Sequence, residues 1–337
     1  MKKSTNKTLI LTVIFVVFIL AIGIIMSKNV ATTPASVSDN NTSSDQSVSD
    51  TKENAINGTI IYMIKSSDAN EIYKLSTNGD AKIVYTDKDE TQKIKNAVSV
   101  TSQGKVLALF ADQNQEFGGA LYLIDTNIPG QKDLLIDQFA STQAPVISPN
   151  GKKIAYIVFS NVEIDYGFSL YVMNNDGTNK QKISSDAVGI KILSWNPENN
   201  KIAYLKGDTS KESKVFVADL SGNESELTSF KEKVYSLNWT DGIMALCKGS
   251  QDNTEINKSE VYTMDVNGKN LKRITNNDKH DNFAFNSPNN NALVYLDVNY
   301  DKNVDLNKSG DVNLINLSDN NIKKIGEANY IIGWINN

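Results

Sequence analysis

The chain is poor in the residues from which catalytic and metal centres are usually built. It carries one cysteine, Cys247, one histidine, His280, and a single arginine, Arg273, among its 34 basic residues. One cysteine permits neither an intramolecular disulfide nor a cysteine-cluster metal site. Cys247 lies in the apolar run GIMALC, which reads as a small buried hydrophobe rather than a reactive thiol. One histidine excludes a multi-histidine zinc centre. A Ser-His-Asp triad would have to use His280, which the polar stretch NNDKHDNF marks as an ordinary loop residue. No Gly-x-Ser-x-Gly elbow presents a nucleophile, and no glycine-rich loop is spaced to cradle phosphates. Scarce arginine and a net charge of −5 argue against nucleic acid, where guanidinium forks do much of the recognition. The expectation is a protein without catalytic chemistry. Its Lys-, Asn- and Ile-rich composition is that of an AT-rich bacterial genome.

Charge is missing altogether from Leu9 to Met26, LILTVIFVVFILAIGIIM. Eighteen helical residues span about 27 Å, close to a hydrocarbon core. Lys2, Lys3 and Lys7 precede the run and favour the inside. Residues 1–8 are therefore predicted to be cytoplasmic, 9–26 a transmembrane signal-anchor, and the remainder outside the cytoplasm at the cell membrane. Small residues around Ala31 to Ser36 leave cleavage as the alternative. Residues 27–56 are mostly Ser, Thr, Asn and Asp, too polar to offset their chain entropy. They are expected to form a disordered tether with a typical reach of about 30 Å.

From 57 to 337 one sentence recurs about every 47 residues. In APVISPNGKKIAYIVFS an apolar run meets a Pro-Asn-Gly turn and continues into a second apolar run. The residue just before the turn is branched or aromatic: Val100, Ile147, Trp195, Trp239, Phe285 and Trp334. A third strand alternates in period two around Tyr73, Tyr122, Tyr171, Phe216, Tyr262 and Asn313, and most copies run on to a fourth. Four short antiparallel strands per unit at this period is the signature of a propeller blade. The first unit opens on its second strand, GTIIYMIK, and the missing inner strand stands at the other end, NYIIGWINN. The prediction is an all-β, six-bladed β-propeller whose C-terminal strand closes blade one. The three tryptophans occupy equivalent positions and read as blade-to-blade packing.

The turns SPNGKKIAY, NPENNKIAY and SPNNNALVY, with a weaker TSQGKVLAL, resemble the Ser-Pro-Asp-Gly-Lys turns of TolB-like, WD40-like repeat propellers. The resemblance covers about Ile56 to Asn337 and rests on repetition rather than on any one copy. It implies contacts with envelope proteins, and names no partner.

One motif points to an ion. Asp297, Asn299, Asp301, Asn303 and Asp305 fall at positions 1, 3, 5, 7 and 9 of a calcium loop. Lys302 replaces the turn glycine and Lys308 the closing acid, so a solvated polar loop is the competing reading. The long loops between second and third strands, with Asp112, Glu116, Glu163, Asp165, Asp208 and Glu255, predict an acidic face. The opposite short-turn face carries Lys105, Lys152, Lys153, Lys201 and Lys269. The functional expectation is a membrane-anchored scaffold or sensor that binds a protein or an envelope polymer through its long loops. A calcium-assisted lyase or lactonase is the alternative, and would need acids converging on the propeller axis.

Overall fold

The computed structural model describes residues 56–337, apart from 89–90, 113–114, 116–117, 141–144, 162–165, 185–188, 208–211, 250–257, 278 and 299–308. The expected membrane span and the tether up to residue 55 lie outside the described residues. Among those described, no helix is long and apolar enough to cross a membrane.

Every regular element described is a strand. The chain opens with β1 (Thr59–Lys65), β2 (Asn70–Ser76) and β3 (Ala81–Thr86). One antiparallel sheet then holds β4 (Gln92–Val100), β5 (Lys105–Asp112), β6 (Gly119–Asp125) and β7 (Lys132–Phe139). The next holds β8 (Val146–Ile147), β9 (Lys153–Asn161), β10 (Tyr166–Asn174) and β11 (Gln181–Lys182). A third holds β12 (Lys191–Trp195), β13 (Lys201–Lys206), β14 (Ser213–Asp219) and β15 (Glu224–Phe230). An eight-stranded sheet follows. Its first half is β16 (Lys233–Thr240), β17 (Ile243–Gly249), β18 (Ser259–Asp265) and β19 (Lys272–Arg273). Its second half is β20 (His280–Asn286), β21 (Ala292–Val298), β22 (Gly310–Asn316) and β23 (Ile322–Ala328). Finally β24 (Tyr330–Ile335) returns to pair with β1, giving the order β24-β1-β2-β3.

Where six blades were expected, the described residues form five sheets. The two halves of the large sheet meet through a single parallel pair, Ser259 with His280. The outer strand β19 is only two residues long, so the start of β18 is left open to the chain entering β20. Ser259 N donates to Lys279 O at 3.3 Å there. His280 is accordingly a buried strand residue, not the loop residue its polar neighbours suggested. A backbone pairing created by a neighbouring strand leaves no trace in local composition.

The repeated turn explains the repeat. Its first residue is a buried Ser, Thr or Asn whose side-chain oxygen accepts the first backbone N–H of the following strand. Thr101 takes Lys105 N at 3.1 Å, Ser148 takes Lys153 N at 3.0 Å, Asn196 takes Lys201 N at 2.8 Å and Ser287 takes Ala292 N at 3.0 Å. Three residues on, the backbone turns left-handed, at Gly104, Gly151, Asn199 and Asn290. Asn is the side chain that best tolerates that region, so the two copies lacking glycine still close.

Burial falls off outward. The second strands are buried almost end to end, as in β5 and β21, because each is covered on both faces. The fourth strands β7 and β15 are largely exposed. Third-strand residues pair where the period placed them: Tyr73 opposite Tyr62, Tyr171 opposite Tyr156, Asn313 opposite Tyr295. Six hydrophobic clusters fill the gaps between successive four-stranded units, the last joining β21 and β22 to β1 and β24. The inner strands β4, β8, β12, β16, β20 and β24 each touch the next, and β24 touches β4. The chain circles an axis and closes on itself.

Candidate functional site at the axis

The six inner strands enclose a cavity of about 430 Å³. Its wall includes Val100, Ile147, Trp195, Trp239, Phe285 and Trp334, the six residues that precede the repeated turn. Read from sequence alone they were packing residues. They do pack, with Trp195 in one inter-unit cluster and Trp334 in another, but their shared position also brings all six to one hole. The repeat period carried that signal, because residues at one repeat position must converge on a closed ring. Ser102, Pro149, Asn150, Pro197, Asn199 and Pro288, from the turns, also line the cavity. It therefore belongs to the face bearing the turns between first and second strands, the turn face.

Many polar groups of this wall are already engaged, because they tie one inner strand to the next. Ser99 Oγ accepts from Ile147 N at 3.0 Å, and Ser194 Oγ from Trp239 N at 2.9 Å. Trp195 Nε1 donates to Val146 O at 3.1 Å, and Asn238 Nδ2 to Ala284 O at 2.8 Å. Gly333 occupies the corresponding place on β24, where a Cβ would stand 2.6 Å from Val100 Cγ1. At the rim, Ser102 N donates to Pro149 O at 2.8 Å and Asn150 N to Asn199 Oδ1 at 2.8 Å. What the wall chiefly offers a visitor is apolar and aromatic surface. Asp241 is the one acid among the lining residues.

The opposite end of the axis, on the loop face, is different. There the inner strands begin and β1 ends, and lysines collect. Lys65 Nζ donates to Lys95 O at 3.3 Å and lies 4.9 Å from the Tyr330 ring. Lys233 Nζ lies 4.8 Å from the Tyr235 ring, which meets His280 edge-on at 4.7 Å. Burial lowers the Lys65 ammonium below its ordinary pKa; burial and then the nearby Lys233 do the same to Lys191. This is the face expected to be acidic. Of the acids named for it, Glu116, Glu163, Asp165, Asp208 and Glu255 lie outside the described residues, and Asp112 is exposed at the end of β5.

Beside this end runs a row of carboxylates, Asp281, Asp297 and Asp311, in register across β20, β21 and β22. Asp281 is fully buried, accepts from Thr275 Oγ1 at 2.5 Å and Asn277 Nδ2 at 3.2 Å, and burial pushes its carboxyl up to about 7. Ser259 Oγ stands 2.8 Å from His280 Nδ1 and donates to Asp281 O at 2.6 Å. The Asp281 carboxylate goes to Thr275 and Asn277, and Ser259 is wholly buried. These groups make a buried seam, not a nucleophile with its base.

Of the five calcium candidates only Asp297 is described; Asn299, Asp301, Asn303 and Asp305 lie outside the described residues. Asp297 is buried at the end of β21, and burial raises its carboxyl. Lys279 Nζ holds its Oδ2 at 2.7 Å, while Oδ1 has no hydrogen-bond partner. Among the described residues no three His, Cys, Asp or Glu side chains are grouped to hold a metal.

No protein-family model matches the chain, and no curated protein matches it. Solved structures do. TolB from Acinetobacter baumannii matches with a TM-score of 0.59 at 16% identity, over 82% of this chain and 66% of its own. The TolB of Agrobacterium tumefaciens matches with 0.57 at 15% identity, over 80% of this chain and 89% of its own. The chain has a TolB-like β-propeller fold. A looser match, at a TM-score of 0.50 and 12% identity, is to the tricorn protease, covering 80% of this chain and 29% of that one. The TolB-like propeller is the platform that brings the two axial mouths into being; the likeness is one of fold.

Proposed function

We propose that the chain is a membrane-tethered, extracytoplasmic, six-bladed propeller that binds a protein partner without catalysing a reaction, and that its turn-face cavity receives an apolar anchor of that partner. The count of six treats β16–β19 and β20–β23 as two blades joined by one bridge. Six inner strands in cyclic contact and six inter-unit clusters support it. The observation that carries the binding reading is the aromatic cavity, many of whose polar wall groups are already tied to one another. A concave, mostly apolar site of this size is the usual form of a recognition pocket. Buried aromatic anchors commonly dominate such contacts. A lyase or lactonase would draw on acids at the axis, and the cavity wall offers Asp241 alone.

The tether is supported by the uncharged run Leu9–Met26 and the lysines before it. Calcium binding by the Asp297 loop belongs to the same reading. It is supported by the unpartnered Asp297 Oδ1, and titration calorimetry with calcium chloride checks it. The cavity is tested by placing a photo-crosslinking residue at Trp239 and, separately, at Phe159 near the loop-face end of β9, in intact cells. One discrete protein adduct from position 239 is expected. Adducts from position 159 with none from position 239 would move the site to the loop face.

A further inference from the structure

The turn-face cavity has a charge bias that the reading above leaves unused. The chain carries 34 lysines and arginines, yet no lysine, arginine or histidine lines the cavity. Its one charged lining residue is Asp241. That acid sits in the shortest of the repeated turns, where Asp241 and Gly242 alone join β16 to β17 and Thr240 pairs with Ile243. The next unit braces the turn: Asn290 Nδ2 donates to Asp241 O at 2.5 Å, and Asn286 Nδ2 to Thr240 Oγ1 at 3.1 Å. This bracing leaves the acid itself unused. Among the described residues the Asp241 carboxylate has no hydrogen bond and no ion pair. Glu198, the other acid in these turns, accepts from Asn196 Nδ2 at 2.6 Å and does not line the cavity. Two of the turn-face lysines are drawn to third strands instead, Lys105 Nζ lying 3.6 Å from Asp125 Oδ2 and Lys153 Nζ donating to Asn174 Oδ1 at 3.3 Å.

We propose that the partner's anchor is an apolar side chain standing beside a cation, a lysine or an arginine, and that Asp241 selects it. This rests on the cavity being the binding site and adds the charge of what it binds. Trp239 stands two residues before Asp241 on β16, and Trp195, Phe285 and Trp334 share its position in the repeat. Aromatic rings attract a cation, and an unpaired carboxylate at the edge of the same wall attracts that charge too. The stems of lysine and arginine are themselves apolar, so the cation reaches the acid while its methylenes stay on the wall. Asp241 is exposed, and an exposed ion pair alone contributes little. It therefore chooses between anchors that the wall already holds. An acid beside the anchor would meet Asp241 as a like charge, with no lining cation to offset it.

All three tryptophans of the chain line the cavity, so intrinsic tryptophan fluorescence reads it directly. The test titrates the full-length chain, held in lipid nanodiscs, with three blocked dipeptides: acetyl-Phe-Lys-amide, acetyl-Phe-Gln-amide and acetyl-Phe-Glu-amide. The lysine and glutamine peptides should both give a saturable change, the lysine peptide binding about fivefold tighter and the glutamate peptide weakest. Asp241→Asn should bring the lysine peptide down to the glutamine peptide and leave the latter unchanged. It should also unfold at the wild-type temperature, since no bond of the fold uses that carboxylate. Glu198→Gln should bind all three as the wild type does. Should Asp241→Asn fold poorly, added sodium chloride serves on the wild type: the lysine preference should shrink as salt rises, and a preference indifferent to salt sinks the idea. Equal binding of the lysine and glutamine peptides, or a lysine preference that survives in Asp241→Asn, overturns this inference and leaves the cavity a binding site. No saturable response to any of the three overturns both.

Discussion

The two mouths of one axis are lined by the same six strands and yet have opposite chemistry. At the turn face each inner strand arrives at its end, beside the repeated turn, and delivers the same kind of residue from each unit. The result is a wall of Val, Ile, Phe and Trp in which Trp195 Nε1 and Trp239 N tie one inner strand to the next. At the loop face each strand begins, after a connection of its own length and composition, and no repeat rule governs what it brings. Lysines, a buried histidine and a row of carboxylates meet there. Repetition makes a uniform apolar surface; its relaxation makes room for charge.

Removing β24 should break the comparison outright, because that strand supplies Trp334 to one mouth and Tyr330 to the other. Ile331, Ile332, Trp334 and Ile335 are all buried, and each is worth about 1.5–3 kcal/mol. Their sum approaches the whole stability of a typical domain, about 5–15 kcal/mol. Deletion of residues 329–337 should therefore abolish cooperative unfolding by circular dichroism. A deletion variant melting at the wild-type temperature would mean the ring does not depend on its closure.

Trp195→Ala should cost about 3–5 kcal/mol, through lost packing and a Val146 carbonyl left without its donor. Denaturant titration measures the loss, and crosslinking from position 239 should weaken with it. A midpoint unchanged from the wild type would show that Trp195 is not part of the packing.

The third prediction concerns pH and belongs to the loop-face side alone. Asp281 titrates near 7 in the folded chain and in the ordinary carboxylate range, about 3.9, when unfolded. Between those values the folded state binds the extra proton, so stability falls as pH rises, by at most about 1.4 kcal/mol per pH unit. Above 7 the loss is complete. Asp281→Asn should flatten that slope and raise stability at pH 8 relative to the wild type. A slope unchanged in the variant would place the titration elsewhere.

Gly333→Ala sharpens the turn-face side. The new Cβ would press on Val100, and overpacking of this kind costs about 1–3 kcal/mol. The smallest effect is expected from Lys233→Gln, a change of no more than about 0.5 kcal/mol. A destabilisation above 2 kcal/mol would show Lys233 to be a structural part of the seam.

Much of the fold was legible because it repeats. The Pro-Asn-Gly turns, the return of β24 to β1 and the equivalence of Tyr73 with Tyr171 all follow from period and turn chemistry. The six cavity residues were singled out too, but as packing alone. That a packing position also faces a shared hole becomes visible only when the ring is closed. His280 was misplaced because its surroundings are polar in sequence and buried in space. The loop-face lysines were passed over for a related reason: they share no spacing, and only three-dimensional closure makes them neighbours.

The sequence by itself determined that the chain repeats a four-stranded unit, where each unit turns, and that its tail completes its head. These are local or periodic properties, written in residues a few places apart. Only the tertiary structure decided what stands at the two ends of the axis, that the last two complete units share a backbone bridge, and that Asp281 is buried among other acids. Those follow from strands brought together across hundreds of residues, where the electrostatics and the free space depend on distance and not on order along the chain.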